Sequence, residues 1–244
     1  MYFPVVVPYR TTPSMTKWEG PLTDPLDDIS HIASKLQELD RWGEDLYANR
    51  RPDLVSKAAE VLGLEPTDSI KELALNVKED VAVMHNGVLE AICFCYPSSW
   101  IPGERVGQSF AELHTPVADG DQLRRVAPRI AEMMATQGSF RRYVWTISTT
   151  GELSNHPNLS KPPVLDSMTV DDFWFRMETQ TTAPLGDNLS SLFLVKVETC
   201  PLQDFWQDLD KRSSILASIN SMTDAVLDYK NLAKTKEILN RLDK

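Results

Sequence analysis

Two β-prone runs meet at an Asn-Gly pair, and that pair constrains the fold of this chain more than any other feature. Asp80-Val81-Ala82-Val83-Met84 leads through His85-Asn86-Gly87 into a second apolar run over residues 88–96. A two-residue hairpin turn of type I′ needs φ > 0 at both central positions, and Asn-Gly meets that need at least cost. The centre of the chain is therefore expected to hold an antiparallel pair. The runs over 140–148, 170–181 and 190–198 read as three more strands.

Helical periodicity surrounds these strands. Ile32, Leu36, Leu39, Trp42 and Leu46 recur at helical spacing and predict an amphipathic helix over 29–49. Shorter helices are expected over 52–62, ended by Gly63, and over 68–77, with Asp68 as N-cap. Residues 119–137 also read as a helix, which Pro128 should kink or break. After Pro201 the tail is helical, with stripes such as Ile215, Ile219, Met222 and Val226. The expected class is α+β: an antiparallel sheet of about five strands with N-terminal and C-terminal helices. Residues 1–78 would be an arm and helices packed on the core, 79–200 the core, and 201–244 a helical extension, all in one structural domain. Residues 2–26 read as the arm, and 150–168 as a long Pro/Ser/Asn-rich loop of the length that usually carries function.

Charge and composition narrow the partners. The 244 residues hold 25 basic and 35 acidic side chains, a net charge of −10, with no lysine-rich stripe. Nucleic acid and anionic membrane are not expected partners. No apolar run approaches the roughly 20 residues of a membrane helix. Residues 1–100 hold 16 acids against 9 bases, while seven of the nine bases in 101–200 are arginines. Arginine is the better fork for carboxylate or phosphate. An anionic ligand is therefore sought in the middle segment. Cys93, Cys95 and Cys200 match no zinc or redox spacing. They are expected as buried small residues, with the Cys93 and Cys95 thiols turned to opposite sides. Reduced cysteines and the absence of a basic leader at the start lead to the expectation of a cytoplasmic protein. No HExxH, GxSxG, Walker or GxGxxG motif is present.

The strand around residue 176 carries the most informative local pattern. Alternation places Trp174, Arg176, Glu178 and Gln180 on one face and Phe173, Phe175, Met177 and Thr179 on the other. A tryptophan, a cation, an anion and an amide in a row can hold a small polar ligand or the anionic edge of a cofactor. The ordinary alternative is an exposed Arg–Glu pair on an edge strand, worth under about 1 kcal/mol. On the neighbouring strand Arg142 shares a face with Val144 and Thr146, with Tyr143 and Trp145 opposite. Arg142 could join Arg176 in neutralising a carboxylate, leaving Arg141 as the solvent residue.

Of four histidines, His114 stands out. It sits in Phe110-Ala111-Glu112-Leu113-His114-Thr115-Pro116, a short turn stopped by proline, where a side chain is held rather than mobile. It can be an axial ligand to haem iron or a histidine bonded to a local carbonyl. His85 is expected in solvent at the hairpin tip and His31 at the surface. His156, in a loop, could reach a pocket.

Taken in order, these motifs resemble the haem-binding alpha subunit of haem-dependent oxidative N-demethylases. The matching pieces are Asp45-Leu46-Tyr47 with Arg50, Lys78 to Met84, Phe94-Cys95-Tyr96-Pro97-Ser98-Ser99-Trp100, Gly107 with the segment 110–117, Arg142-Tyr143-Val144-Trp145, Arg176-Met177-Glu178-Thr179-Gln180-Thr181, and Pro201-Leu202. The resemblance covers about residues 4–205. It implies a PAS-like sheet holding haem b, and oxidative removal of a methyl group from a small secondary amine such as dimethylamine, with O₂ as oxidant and formaldehyde released. Electrons would come from reductase or ferredoxin-type partner subunits carrying FMN, an iron–sulfur centre and NADPH. The resemblance implies His114 as iron ligand and Arg142, Arg176, Trp145 and Gln180 as cofactor contacts. Glu178 and Arg176 would serve the chemistry. Thr179 replaces the arginine of the family's R-x-E-R-Q motif, so one cation is missing from the site region, which would mean another amine or a binding protein without turnover. A PAS-like haem or small-ligand sensor without turnover is the alternative from another functional class.

Overall fold

The computed structural model describes residues 1–11, 14–26 and 29–243; Thr12, Pro13, Asp27 and Asp28 of the expected N-terminal segment, and Lys244, lie outside the described residues. Among the described residues seven strands form one sheet: β1 (Thr16–Lys17), β2 (Tyr47–Asn49), β3 (Asp80–His85), β4 (Val88–Cys93), β5 (Phe140–Ser148), β6 (Trp174–Pro184) and β7 (Ser190–Pro201). Their order is β1-β5-β6-β7-β3-β4-β2, and every neighbouring pair is antiparallel. The Asn-Gly hairpin joins β3 to β4, with φ of 49° at Asn86 and 73° at Gly87. The sheet thus has seven strands rather than about five. The two extra strands are edges of two and three residues, too short for alternation to register.

The helices are α1 (Ile29–Trp42), α2 (Pro52–Val61), α3 (Ile70–Leu75), α4 (Phe110–Leu113), α5 (Asp121–Thr136), α6 (Gln203–Trp206), α7 (Leu209–Asn220), α8 (Asp224–Tyr229) and α9 (Ala233–Leu242). The first ends well before residue 49. Gly43 takes φ of 56° and stops it, freeing Tyr47–Asn49 to pair with β4. Its buried positions are Lys35 and Glu38, while Leu36 of the expected apolar stripe is 50% exposed. The cap of α3 is Ser69 rather than Asp68, its hydroxyl accepting from the Glu72 N–H. Pro128 lies inside α5 without ending it.

Two apolar clusters hold the layers. One joins β3 and β4 to α2, α3 and α5 through residues such as Leu54, Leu73, Val81, Ile92 and Met134. The other joins Trp145, Ile147, Phe175 and Met177 of β5 and β6 to Phe205, Ile215, Ile219 and Leu239 of the C-terminal helices. The N-terminal arm lies against this second cluster, where Phe3 meets Phe205 with ring centroids 5.0 Å apart. Full burial of such side chains contributes roughly 1.5–3 kcal/mol each. The loop 150–168 is pinned rather than free, with Asn155 bridged to Ser98.

Cys93 and Cys95 do not turn apart. Residues two apart share a side of an extended chain, and both free thiols are buried in the interior, within electrostatic reach of each other. No helix among the described residues is long and apolar enough to cross a membrane.

Candidate functional site

The alternation read along β6 holds in three dimensions. Register pairs Arg142 with Gln180, Val144 with Glu178 and Thr146 with Arg176, so these side chains share one sheet face. On it a continuous polar chain forms. Arg142 Nε donates to Gln180 Oε1 at 2.6 Å, and Gln180 Nε2 donates to Glu178 Oε2 at 2.8 Å. The Ser98 hydroxyl donates to Glu178 Oε1. Arg176 NH2 donates to Ser98 Oγ at 2.9 Å and to the Tyr96 carbonyl at 3.2 Å, and NH1 donates to the Leu153 carbonyl. Four of the six expected site residues therefore belong to one network.

The two arginines differ in what they can do. Arg176 is 2% exposed and ties strand β6 to two loops. Its guanidinium is committed to protein acceptors, and Glu178 stands 4.0 Å away. Arg142 is half-buried and uses only Nε on Gln180, which leaves its outer nitrogens uncommitted among the described residues. Burial pulls both guanidinium pKa values down, opposed in each case by Glu178. Arg142 is thus the cation with donors to offer an anionic group.

His114 follows α4, a single turn closed by a capping box between Ser109 and Glu112. Its Nδ1 lies 2.7 Å from the Phe110 carbonyl, and its ring stacks on Phe110 at 4.2 Å. A carbonyl only accepts, so Nδ1 carries the proton and Nε2 keeps its lone pair. Nε2 has no hydrogen bond among the described residues. Burial lowers the imidazole pKa, the Phe110 carbonyl opposes that, and the nearby Arg142 charge lowers it further. The ring is therefore neutral near pH 7, oriented, and partly reachable from solvent.

Three residues that sequence reasoning missed close around Arg142. Tyr9 comes from the arm, Tyr229 and Lys230 from the end of α8, and all sense Arg142 or Glu178 electrostatically. Lys230 Nζ donates to the Trp145 carbonyl at 3.0 Å, and burial brings its pKa down to about 8 against the pull of Glu178. Ser98 was also missed as a site residue, although it lies in the Pro97-Ser98-Ser99-Trp100 turn. Nothing local in the sequence marks Tyr9, Tyr229 or Lys230, because tertiary packing alone brings them to the strand.

Other residues fall elsewhere. Trp145 lies on the opposite sheet face, 4% exposed and stacked on Phe175 at 5.5 Å, so the structure does not bring it to the network. Arg141 shares that opposite face and covers Trp18 at 3.6 Å rather than standing in solvent. His85 pairs its Nδ1 with Ser190 Oγ at 2.8 Å, and His31 Nε2 meets the Lys78 carbonyl at 2.6 Å. His156 is fully buried and stacked on Trp42 at 3.9 Å. Its Nδ1 accepts from the Asn158 N–H, which leaves the proton on Nε2, 3.3 Å from Asp45 Oδ2. Thr179 points away from the network, paired across strands with Tyr143 and Lys196 on the back face. The missing cation of the R-x-E-R-Q motif is therefore not missing from this site.

Among the described residues no group of three or more His, Cys, Asp or Glu could hold a metal by itself. The donor set instead suits a prosthetic group that brings most of its own ligands. It offers one imidazole nitrogen, one half-buried guanidinium and a carboxylate wired to it. Fold and site together define an α+β protein with a single-histidine, arginine-flanked polar site on one sheet face. Residues 40–240 match the family model described as haem-dependent oxidative N-demethylase, alpha subunit-like, and the chain belongs to that family. The match begins later than the motif resemblance and runs on through the C-terminal helices. No curated protein matches the chain.

Proposed function

We propose that this chain is the haem-carrying subunit of an O₂-dependent oxidative N-demethylase for a small secondary amine such as dimethylamine. The observation that carries the reading is His114, whose Nδ1 is fixed by the Phe110 carbonyl so that Nε2 is left free, neutral and oriented. Metal-binding histidines characteristically have their other ring nitrogen held in this way. Family membership supports the reaction class. The strand order also supports a PAS-like reading, because the last of the five long strands, β7, lies between β3 and β6.

Haem b, when bound, would supply the O₂ chemistry and the oxidation of the N-methyl carbon. His114 would be its protein ligand through Nε2. Arg142 would offer its outer nitrogens to a propionate. Gln180 holds Arg142 with its amide oxygen and Glu178 with its amide nitrogen, so the two charges keep fixed places. Glu178 would favour a cationic amine and can hold a proton at a carboxylate oxygen. Arg176 and Ser98 position Glu178 rather than touch the substrate. Trp145 would support β5 from behind. Electrons would arrive from partner subunits carrying FMN, an iron–sulfur centre and NADPH, in the cytoplasm.

Two measurements test this. The haem-reconstituted chain should show a Soret band that His114→Ala shifts or abolishes while the fold, by circular dichroism, persists. An unchanged spectrum would remove His114 as ligand. With a surrogate reductase, dimethylamine should yield formaldehyde. A haem spectrum without formaldehyde from any methylamine would make the chain a haem or small-ligand binding protein instead.

A further inference from the structure

The sheet face behind the polar network carries a cavity of about 200 Å³ that the haem reading does not use. It lies between the N-terminal arm and β5, β6 and β7, with Tyr2, Asp24, Glu79, Tyr143, Thr179 and Lys196 in its walls. We propose that it is a second binding site, for a small organic ammonium ion. The proposal stands whether or not the chain carries haem.

The wall charges lead there. Three carboxylates (Asp24, Glu79, Glu198) meet two cations (Arg141, Lys196). Lys196 is fully used, 2.5 Å from Asp24 Oδ2 and 3.3 Å from Glu198 Oε2. Arg141 is used as well, donating to Thr181 Oγ1 at 2.9 Å and to the Pro21 carbonyl at 3.2 Å while it covers Trp18. Glu79 is left. It is 4% exposed, its Oε1 accepts from the Asp24 N–H at 3.0 Å, and its Oε2 has no partner among the described residues. A buried carboxylate oxygen without a donor is costly, and a ligand N–H relieves that cost. The walls therefore lack one positive charge and one donor. Beside them stand the rings of Tyr2 and Tyr143, 4.4 Å apart, and the Met177 thioether. Aromatic faces with a carboxylate are the usual means of holding an alkylammonium. The volume lies below that of sites for drug-sized ligands, which limits the guest to a few heavy atoms.

Thr179 is what leaves this space open. An arginine at this position would, by strand alternation, project to this same face. That charge would supply the missing cation. The short threonine leaves it to a guest.

The test is an amide NMR titration of the full chain with dimethylammonium chloride. For three heavy atoms the ceiling on binding per atom sets a Kd of about 1 mM or weaker, so the titration runs to about 100 mM with sodium chloride as control. Saturable shifts at the amides of Tyr2, Asp24, Glu79 and Lys196 are expected. Glu79→Gln and Thr179→Arg should each weaken binding tenfold or more, and Glu178→Gln should leave it unchanged. Thr179→Arg spares Glu79, so it keeps the test informative if Glu79→Gln does not fold. Absence of saturable shifts, or shifts that survive Thr179→Arg, would overturn the proposal. So would shifts confined to Ser98, His114 and Tyr229 that vanish in Glu178→Gln, which would place the ammonium ion on the network face alone.

Discussion

Replacing Arg176 by Met should cost about 3–5 kcal/mol of stability, and the structure says where the loss comes from. The guanidinium is 2% exposed and donates to the Leu153 carbonyl, to the Tyr96 carbonyl at 3.2 Å and to Ser98 Oγ at 2.9 Å. Hydrogen bonds to a charged group contribute about 1.5–3 kcal/mol each, so three give about 4.5–9 kcal/mol before any cost is set against them. The cost is desolvation of the cation, several kcal/mol at this depth, which also pulls the Arg176 pKa down. Methionine removes the bonds and the desolvation together but strands two carbonyls, at about 1–3 kcal/mol each. The resulting loss falls in the range usual for breaking a buried charged pair. Urea unfolding of wild type and Arg176→Met measures it, with an unchanged slope showing that the same surface unfolds. Arg176→Lys keeps the charge but loses the fork, and should fall between the two. Limited proteolysis should find the 150–168 loop easier to cut in Arg176→Met, because that loop loses its tie to β6. A loss under about 1 kcal/mol would refute the reasoning, since the three contacts would then hold nothing in place.

Lys35 offers a pH-dependent counterpart. It is fully buried, donates to the carbonyls of Ala74, Val77 and Glu79, and stands 3.9 Å from Asp80. Burial raises the Asp80 pKa from 3.8 to about 6, opposed first by Lys35. A carboxyl whose folded pKa exceeds its unfolded value binds more protons when folded, so its contribution to stability falls as pH rises through that window. Lys35→Met raises the Asp80 pKa further and should lose more stability at pH 7 than at pH 5 in parallel urea titrations. An equal loss at both would mean that Asp80 does not depend on Lys35. For His114 the sign is reversed, because its pKa is lowered from 6.5. Protons compete with iron for Nε2 only below that lowered value. Haem retention in reconstituted protein, followed by the Soret band, should therefore persist as pH drops through 6.5 and fail at lower pH. Haem release beginning above pH 6.5 would count against this ligand.

Covalent geometry dictates part of this site, and packing decides the rest. Alternation on β6 is dictated, so Arg176, Glu178 and Gln180 could be placed on one face, and Arg142 beside them, from spacing alone. Ser98, Tyr229 and Lys230 could not, because loops and a distant helix bring them to that face through tertiary contacts. Lys35 runs against periodicity outright. Helical spacing assigns the inward positions to apolar side chains, yet the carbonyls of Ala74 and Val77 at the end of α3 demand a donor, and a lysine stem passes through apolar surroundings to reach them. Thr179 is the instructive case. The same alternation that built the polar face had already put residue 179 on the other one, so its departure from the family motif belongs to the back cavity. The two faces of β6 can therefore be changed separately. Thr179→Arg should close the back cavity and leave the haem spectrum unaltered, whereas Glu178→Gln should change amine turnover and leave the back cavity open. If Thr179→Arg moved the Soret band instead, the sheet would be transmitting between its faces, and the division of the site by strand alternation would fail.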